Sequence, residues 1–89
     1  MKALILYRPA TEQEGIVNDY VRDYHSRHPD KELQLLSLDS ANGSDLAQLY
    51  DIVRSPAILV IANNGSLIQL WQDSPLPLID EVDAYLVPS

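Results

Sequence analysis

The stretch YDIVRSPAILVIANNG, Tyr50–Gly65, decides the reading of this chain. A helical pattern runs into Arg54-Ser55-Pro56, a continuous apolar run follows from Ala57 to Ala62, and Asn63-Asn64-Gly65 closes it. The run shows no polar alternation, so it reads as a strand covered on both faces. Pro56 stands directly in front of it. Proline has no backbone N–H, and the start of a strand is a place where that loss removes no ladder bond. Asn64-Gly65 predicts a tight hairpin turn. SLIQLWQ, Ser66–Gln72, is then the returning antiparallel strand and a sheet edge.

Upstream, NGSDLAQLYDIV offers Ser44 or Asp45 as a helix cap, with Leu46, Leu49 and Tyr50 as an apolar stripe. Before it, ELQLLSLDS holds Leu33, Leu35, Leu36 and Leu38 and reads as a strand. TEQEGIVNDYVRDYHSRHP opens with Thr11 three residues before Glu14. That is a capping-box spacing: the Thr hydroxyl accepts from the Glu14 amide, and the Glu14 carboxylate reaches back. Ile16, Val17, Tyr20, Val21 and Tyr24 share one helical face, and Pro29 ends the helix. Gly15 weakens the first turn by up to about 1 kcal/mol relative to alanine. KALILY, Lys2–Tyr7, is apolar on both faces and forms the first strand, ended by Arg8-Pro9-Ala10. Strand, helix and strand in succession predict a parallel pair with a right-handed crossover.

Downstream, Asp73-Ser74-Pro75-Leu76-Pro77 reads as a loop. Leu78, Ile79, Val82, Tyr85 and Leu86 form the apolar face of a closing helix, with Asp80 and Glu81 at its positive end. The order is β-α-β-α-β-β-α. It predicts an α/β domain spanning residues 1–89, a four-stranded mixed sheet with helices on both faces.

The 89 residues suit one domain. Hydrophobic residues at 46% support a folded core over disorder. Thirteen acidic against six basic residues give a formal charge of −7. With no basic cluster to neutralise phosphates, neither nucleic acid nor an anionic membrane is an expected partner. The apolar start is too short for a signal peptide or a membrane span, so a soluble cytoplasmic protein is expected. No cysteine is present, which excludes disulfides, thiolate metal sites and thiol chemistry.

The element order, with Ser55-Pro56 opening the third strand, resembles the thioredoxin fold over nearly the whole chain. It looks closest to the small thioredoxin- and glutaredoxin-like domains. IVRSPAILVIANNGSLIQLW is similar to the family's stretch in which a short helix precedes a cis-proline and a β-hairpin. ILYRPATEQE is similar to its first strand and active-site loop. The resemblance implies a cis Ser55–Pro56 bond opposite that loop, with the Ser55 backbone available to an extended peptide or to glutathione. It also exposes a departure. The family's redox motif is two cysteines separated by two residues. Setting Pro9 against the family's pre-motif proline places Thr11 and Glu14 at the cysteine positions. Neither side chain forms a disulfide, so dithiol–disulfide exchange is excluded by chemistry.

The expected binding face is therefore Arg8, Thr11 and Glu14 in the first loop, with Arg54, Ser55 and Pro56 in the second. Thr11 and Glu14 are each explained by helix capping alone. Arg8, Arg54 and Ser55 are expected to flank a groove at the two loops, where the two arginines near a free backbone edge would hold a carboxylate of a peptide or of glutathione. His25 and His28, near the end of the first helix, are read as dipole-stabilising exposed residues rather than metal ligands. Asp80, Glu81 and Asp83 read as a solvated helix face. Trp71 reads as packing on the edge strand, where an aromatic also suits a partner or a second copy. The sequence reading is of a redox-inactive protein-interaction or regulatory module without a cofactor. Its alternatives are non-catalytic glutathione or small-ligand binding and a homodimer through the last edge strand.

Overall fold

The computed structural model describes residues 2–31, 33–72 and 76–86. Residues 73–75 of the expected loop and Glu32 of the expected second strand lie outside them. The elements are β1 (Lys2–Tyr7), α1 (Glu12–Arg27), β2 (Leu33–Ser37), α2 (Ala41–Leu49), β3 (Ala57–Ile61), β4 (Leu67–Gln72) and α3 (Ile79–Ala84). The sheet runs β2-β1-β3-β4. β1 pairs parallel with β2 and antiparallel with β3, and β3 pairs antiparallel with β4. The mixed sheet and its edge strand β4 are as the sequence predicts; β2 forms the other edge.

Strand periodicity sorts the core into two layers. Ala3, Ile5, Leu33, Ile58 and Val60 face α1 and α3, where they meet Val17, Tyr24, Ile79 and Val82. Leu4, Leu6, Ala57, Leu59 and Ile61 face the opposite side, where Leu46, Ala47 and Tyr50 cover them. Both strand faces are thus buried, which is why β1 and β3 show no polar alternation. Each fully buried aliphatic side chain contributes roughly 1.5–3 kcal/mol.

Several boundaries differ from the sequence reading. The second helix starts at Ala41, capped by Ser40 rather than by Ser44 or Asp45; Ser40 Oγ accepts from the Gly43 amide at 3.0 Å. Gly43 sits inside the first turn because a Cβ there would collide with the Ser37 carbonyl oxygen. The hairpin turn is centred on Asn63-Asn64, not on Asn64-Gly65. The Gly65 N–H donates to Ala62 O at 2.9 Å, and neither asparagine has a positive φ. Gly65 follows at φ +89°, the left-handed position of a bulged hairpin that glycine fills without strain. Opposite the turn the register shifts: Ile61 pairs Leu67 and Val60 pairs Gln69, which leaves Ile68 as the extra residue.

Four residues expected on apolar faces are exposed: Ile16 at 48%, Leu49 at 70%, Leu78 at 71% and Tyr85 at 38%. The stripe of α1 is set by Val17, Tyr20, Val21 and Tyr24, and no element reaches Ile16 at its margin. On α2, Ala47 takes the place expected of Leu49. Leu78 is the residue preceding α3, which buries Ile79 and Val82.

Candidate functional site

Two loops meet at one end of the sheet. The first leaves β1 as Arg8-Pro9-Ala10, with Ala10 at φ +60°. Thr11 caps α1: its hydroxyl donates to the Arg8 carbonyl at 2.7 Å and accepts from the Gln13 N–H at 3.2 Å. This corrects the capping-box expectation. The hydroxyl serves the amide two residues on, a short local ring that Thr forms readily. The Glu14 N–H bonds instead to the Thr11 carbonyl at 3.1 Å.

The side chain that reaches back is Gln13, which the sequence reading passed over. Its Oε1 accepts from the Arg8 N–H at 3.2 Å. Its Nε2 donates to the Ser55 carbonyl at 3.2 Å, which ties the first loop to the second. The Ser55 backbone is thus not wholly available, as the resemblance implied: its carbonyl is engaged.

The second loop follows α2. Ile52 N–H donates to Ala47 O at 2.8 Å and Asp51 N–H to Gln48 O at 3.3 Å, the paired bonds of a Schellman ending. Asp51 occupies its left-handed position at φ +56° where glycine is usual. Val53 and Arg54 then donate their N–H groups to the single Gln72 Oε1 of β4, each at 3.1 Å. The Ser55–Pro56 peptide bond is cis. Pro56 is buried at the foot of β3.

Between the loops and α2 lies a cleft of about 370 Å³. Arg8, Arg54 and Ser55 line it, together with Asp39, Gln48 and Asp51. Three of the six expected site residues are therefore brought to one cavity. Thr11 and Glu14 belong to the start of α1, and Pro56 lies in the core. The cleft carries two arginines and two aspartates, so it is locally balanced within a chain of formal charge −7. Asp39, Gln48 and Asp51 are its unforeseen polar members. Gln13 and Gln72, which tie the loops beside it, were also unforeseen, and no periodicity marks them because each acts through a contact distant in sequence.

A second polar cluster joins the end of α1 to α3. Lys31 Nζ lies 2.6 Å from Asp83 Oδ1, and the Tyr24 hydroxyl donates to the same oxygen at 3.4 Å. His28 faces Asp80 and Asp83 at 3.7 Å each. His25 Nε2 accepts from the Leu33 N–H at 3.2 Å. Asp83 is therefore no part of a solvated face: its side chain is 18% exposed, against 79% for Asp80. Burial, then the Asp83 charge, pushes the Tyr24 phenol up to about 12. Burial raises Tyr20 further; its hydroxyl donates to Pro77 O at 2.9 Å. Trp71 packs from β4 against the α1–α3 layer and meets the Tyr85 ring edge-on at 5.5 Å. Among the described residues, no helix is long and apolar enough to cross a membrane.

No protein-family model matches the sequence, and no curated protein matches it significantly. Solved structures do match the fold. Thioredoxin O2 from Arabidopsis thaliana, in its oxidized state, superposes with a TM-score of 0.68 at 7% identity, over 96% of this chain and 70% of that one. Thioredoxin 1 from the thermophilic eubacterium Thermosipho africanus gives 0.65 at 9%, over 97% and 90%. A designed protein gives 0.66 at 14%, over 96% and 71%. At such identities the likeness establishes architecture: the chain has a thioredoxin-like fold and, without cysteine, none of that fold's thiol chemistry.

Proposed function

We propose that this chain of thioredoxin-like fold is a redox-inactive, cytoplasmic interaction or regulatory module without enzymatic activity. It binds an extended protein segment at the face formed by Arg8, Thr11 and Glu14 with Arg54, Ser55 and Pro56. The supporting observation is the Ser55 backbone at the rim of the cleft. Its N–H has no hydrogen-bond partner among the described residues. A donor left open beside a lined cleft suits β-type pairing with an extended segment. Arg8 on the opposite loop adds selectivity for an acidic group. The Thr11 hydroxyl is committed to two local bonds, which speaks against its use as a nucleophile.

The test is affinity capture from the native cytosol with the wild type and with a folded Arg54→Glu, Ser55→Arg variant. A partner held by the wild type and lost by the variant supports the reading. The same partner on both places the surface elsewhere. Recovery of this chain alone favours a homodimer through β4, where Leu67 and Ile68 are exposed.

The cleft volume also falls in the range of small-molecule sites, roughly 300–1,000 Å³. Non-catalytic glutathione binding is the second reading. It predicts that titration with millimolar glutathione shifts the Ser55 and Thr11 amide resonances, and unmoved resonances end it.

A further inference from the structure

Gln13 does something at this face that helix capping does not require. Its carboxamide lies between the two loops, accepting from Arg8 N–H and donating to Ser55 C=O, both at 3.2 Å. The partners themselves set its orientation: a backbone N–H only donates and a carbonyl only accepts. A carboxamide on a side chain offers the same pair of groups as one backbone peptide unit. Other side chains hold three more backbone groups of the two loops. Thr11 holds the Arg8 carbonyl, and Gln72 holds the Val53 and Arg54 amides. The face is therefore half open: the Ser55 donor is available, and the Ser55 acceptor is covered by the Gln13 side chain.

We propose that the Gln13 carboxamide is an internal latch that occupies the place of one peptide unit of the incoming extended segment, so that binding requires Gln13 to swing away. This rests on the reading of the Arg8–Ser55 face as a segment-binding site. The latch lowers affinity for every segment that must displace it, and only segments that remake both displaced bonds offset that loss. It makes no use of core packing: Gln13 is half-buried at the start of α1, and its release opens two modest hydrogen bonds. A tether between the loops is the competing role for the same two bonds, and it has the opposite sign. Loss of a tether loosens the face and weakens binding, whereas loss of a latch strengthens it.

The experiment uses a display library of random linear peptides, panned in parallel on the wild-type chain and on Gln13→Ala. The best peptide from each panning is synthesised and titrated against wild type, Gln13→Ala, Gln13→Met and Ser55→Arg. Gln13→Met keeps the length of the side chain without its polar atoms, which guards against a packing defect in the alanine variant. The expected result is binding about five-fold or more tighter to both Gln13 variants, the weight of one hydrogen bond or more, and loss of binding in Ser55→Arg. Equal or weaker binding to the Gln13 variants, with loss in Ser55→Arg, overturns the latch and leaves the face reading standing. Unchanged binding to Ser55→Arg, or no peptide from either panning, overturns both.

Discussion

The Lys31 ammonium lies 2.6 Å from the Asp83 carboxylate, both side chains about four-fifths covered, and the pair ties the turn after α1 to α3. Asp83 also takes the Tyr24 hydroxyl and faces His28. Asp83→Ala is expected to cost about 1–3 kcal/mol, because it strips a partly buried cation and a buried hydroxyl of their acceptor. Lys31→Ala removes one of those contacts and is expected to cost less, about 1 kcal/mol. Urea denaturation of the two variants and the double variant measures both values and their coupling. Equal losses would contradict the shared role of Asp83.

Tyr24 gives the fold an alkaline limit. An unfolded tyrosine ionises near pH 10, and burial holds the folded Tyr24 phenol neutral up to about 12. The folded state therefore favours the protonated form. Its stabilising contribution is complete below about pH 10 and is lost as pH rises through 12. Denaturation midpoints across this window should fall, and Tyr24→Phe should flatten part of the fall, with Tyr20 supplying the remainder. A curve identical to wild type would remove Tyr24 from the explanation.

Asp51 fills the left-handed position that ends α2. A residue with a Cβ pays roughly 1–2 kcal/mol in that conformation, part of which aspartate recovers. Asp51→Gly is expected to stabilise the chain by about 1 kcal/mol in thermal unfolding, while Asp51→Ala is expected to destabilise it. If both variants destabilise, the carboxylate holds the loop by more than backbone conformation.

Gly15 lies in an exposed turn of α1, and a Cβ there meets nothing within 4 Å. Gly15→Ala should add roughly 0.5–1 kcal/mol through helix propensity and a less flexible unfolded chain. Denaturant midpoints of the two proteins give the value directly.

Gly43 makes the opposite prediction. A Cβ at this position would strike the backbone carbonyl of Ser37, which cannot turn aside as a side chain can. Gly43→Ala should cost about 2 kcal/mol or more, through displacement of α2 from the end of β2. A loss near zero would show that α2 can shift freely.

The strands were legible because β1 and β3 are buried on both faces and carry unbroken apolar runs, a signal local to a few residues. Val17 and Tyr24 announced the inner face of α1 by spacing alone, and the Thr11 cap was visible though its partner was misread. Ile16 and Leu49 were misplaced for one reason: periodicity names a stripe, and its margins are decided by what lies opposite. The cap of α2 was missed because Gly43 looks like a break in sequence. Only the nearness of the Ser37 carbonyl makes it a helical residue.

The amino-acid sequence by itself determined the element order, the two-sided sheet, the loops on which Arg8 and Ser55 stand, and the impossibility of thiol chemistry. Each of these follows from local pattern or from composition. Tertiary structure alone decided that Asp39 and Asp51 join Arg8, Arg54 and Ser55 in one cleft, and that Asp83 is paired rather than solvated. It also decided that Gln13 reaches Ser55 across 42 positions of chain. The physical reason is the short range of a hydrogen bond. Whether two groups far apart in sequence come within about 3 Å depends on the packing of every element between them, and no local pattern carries that distance.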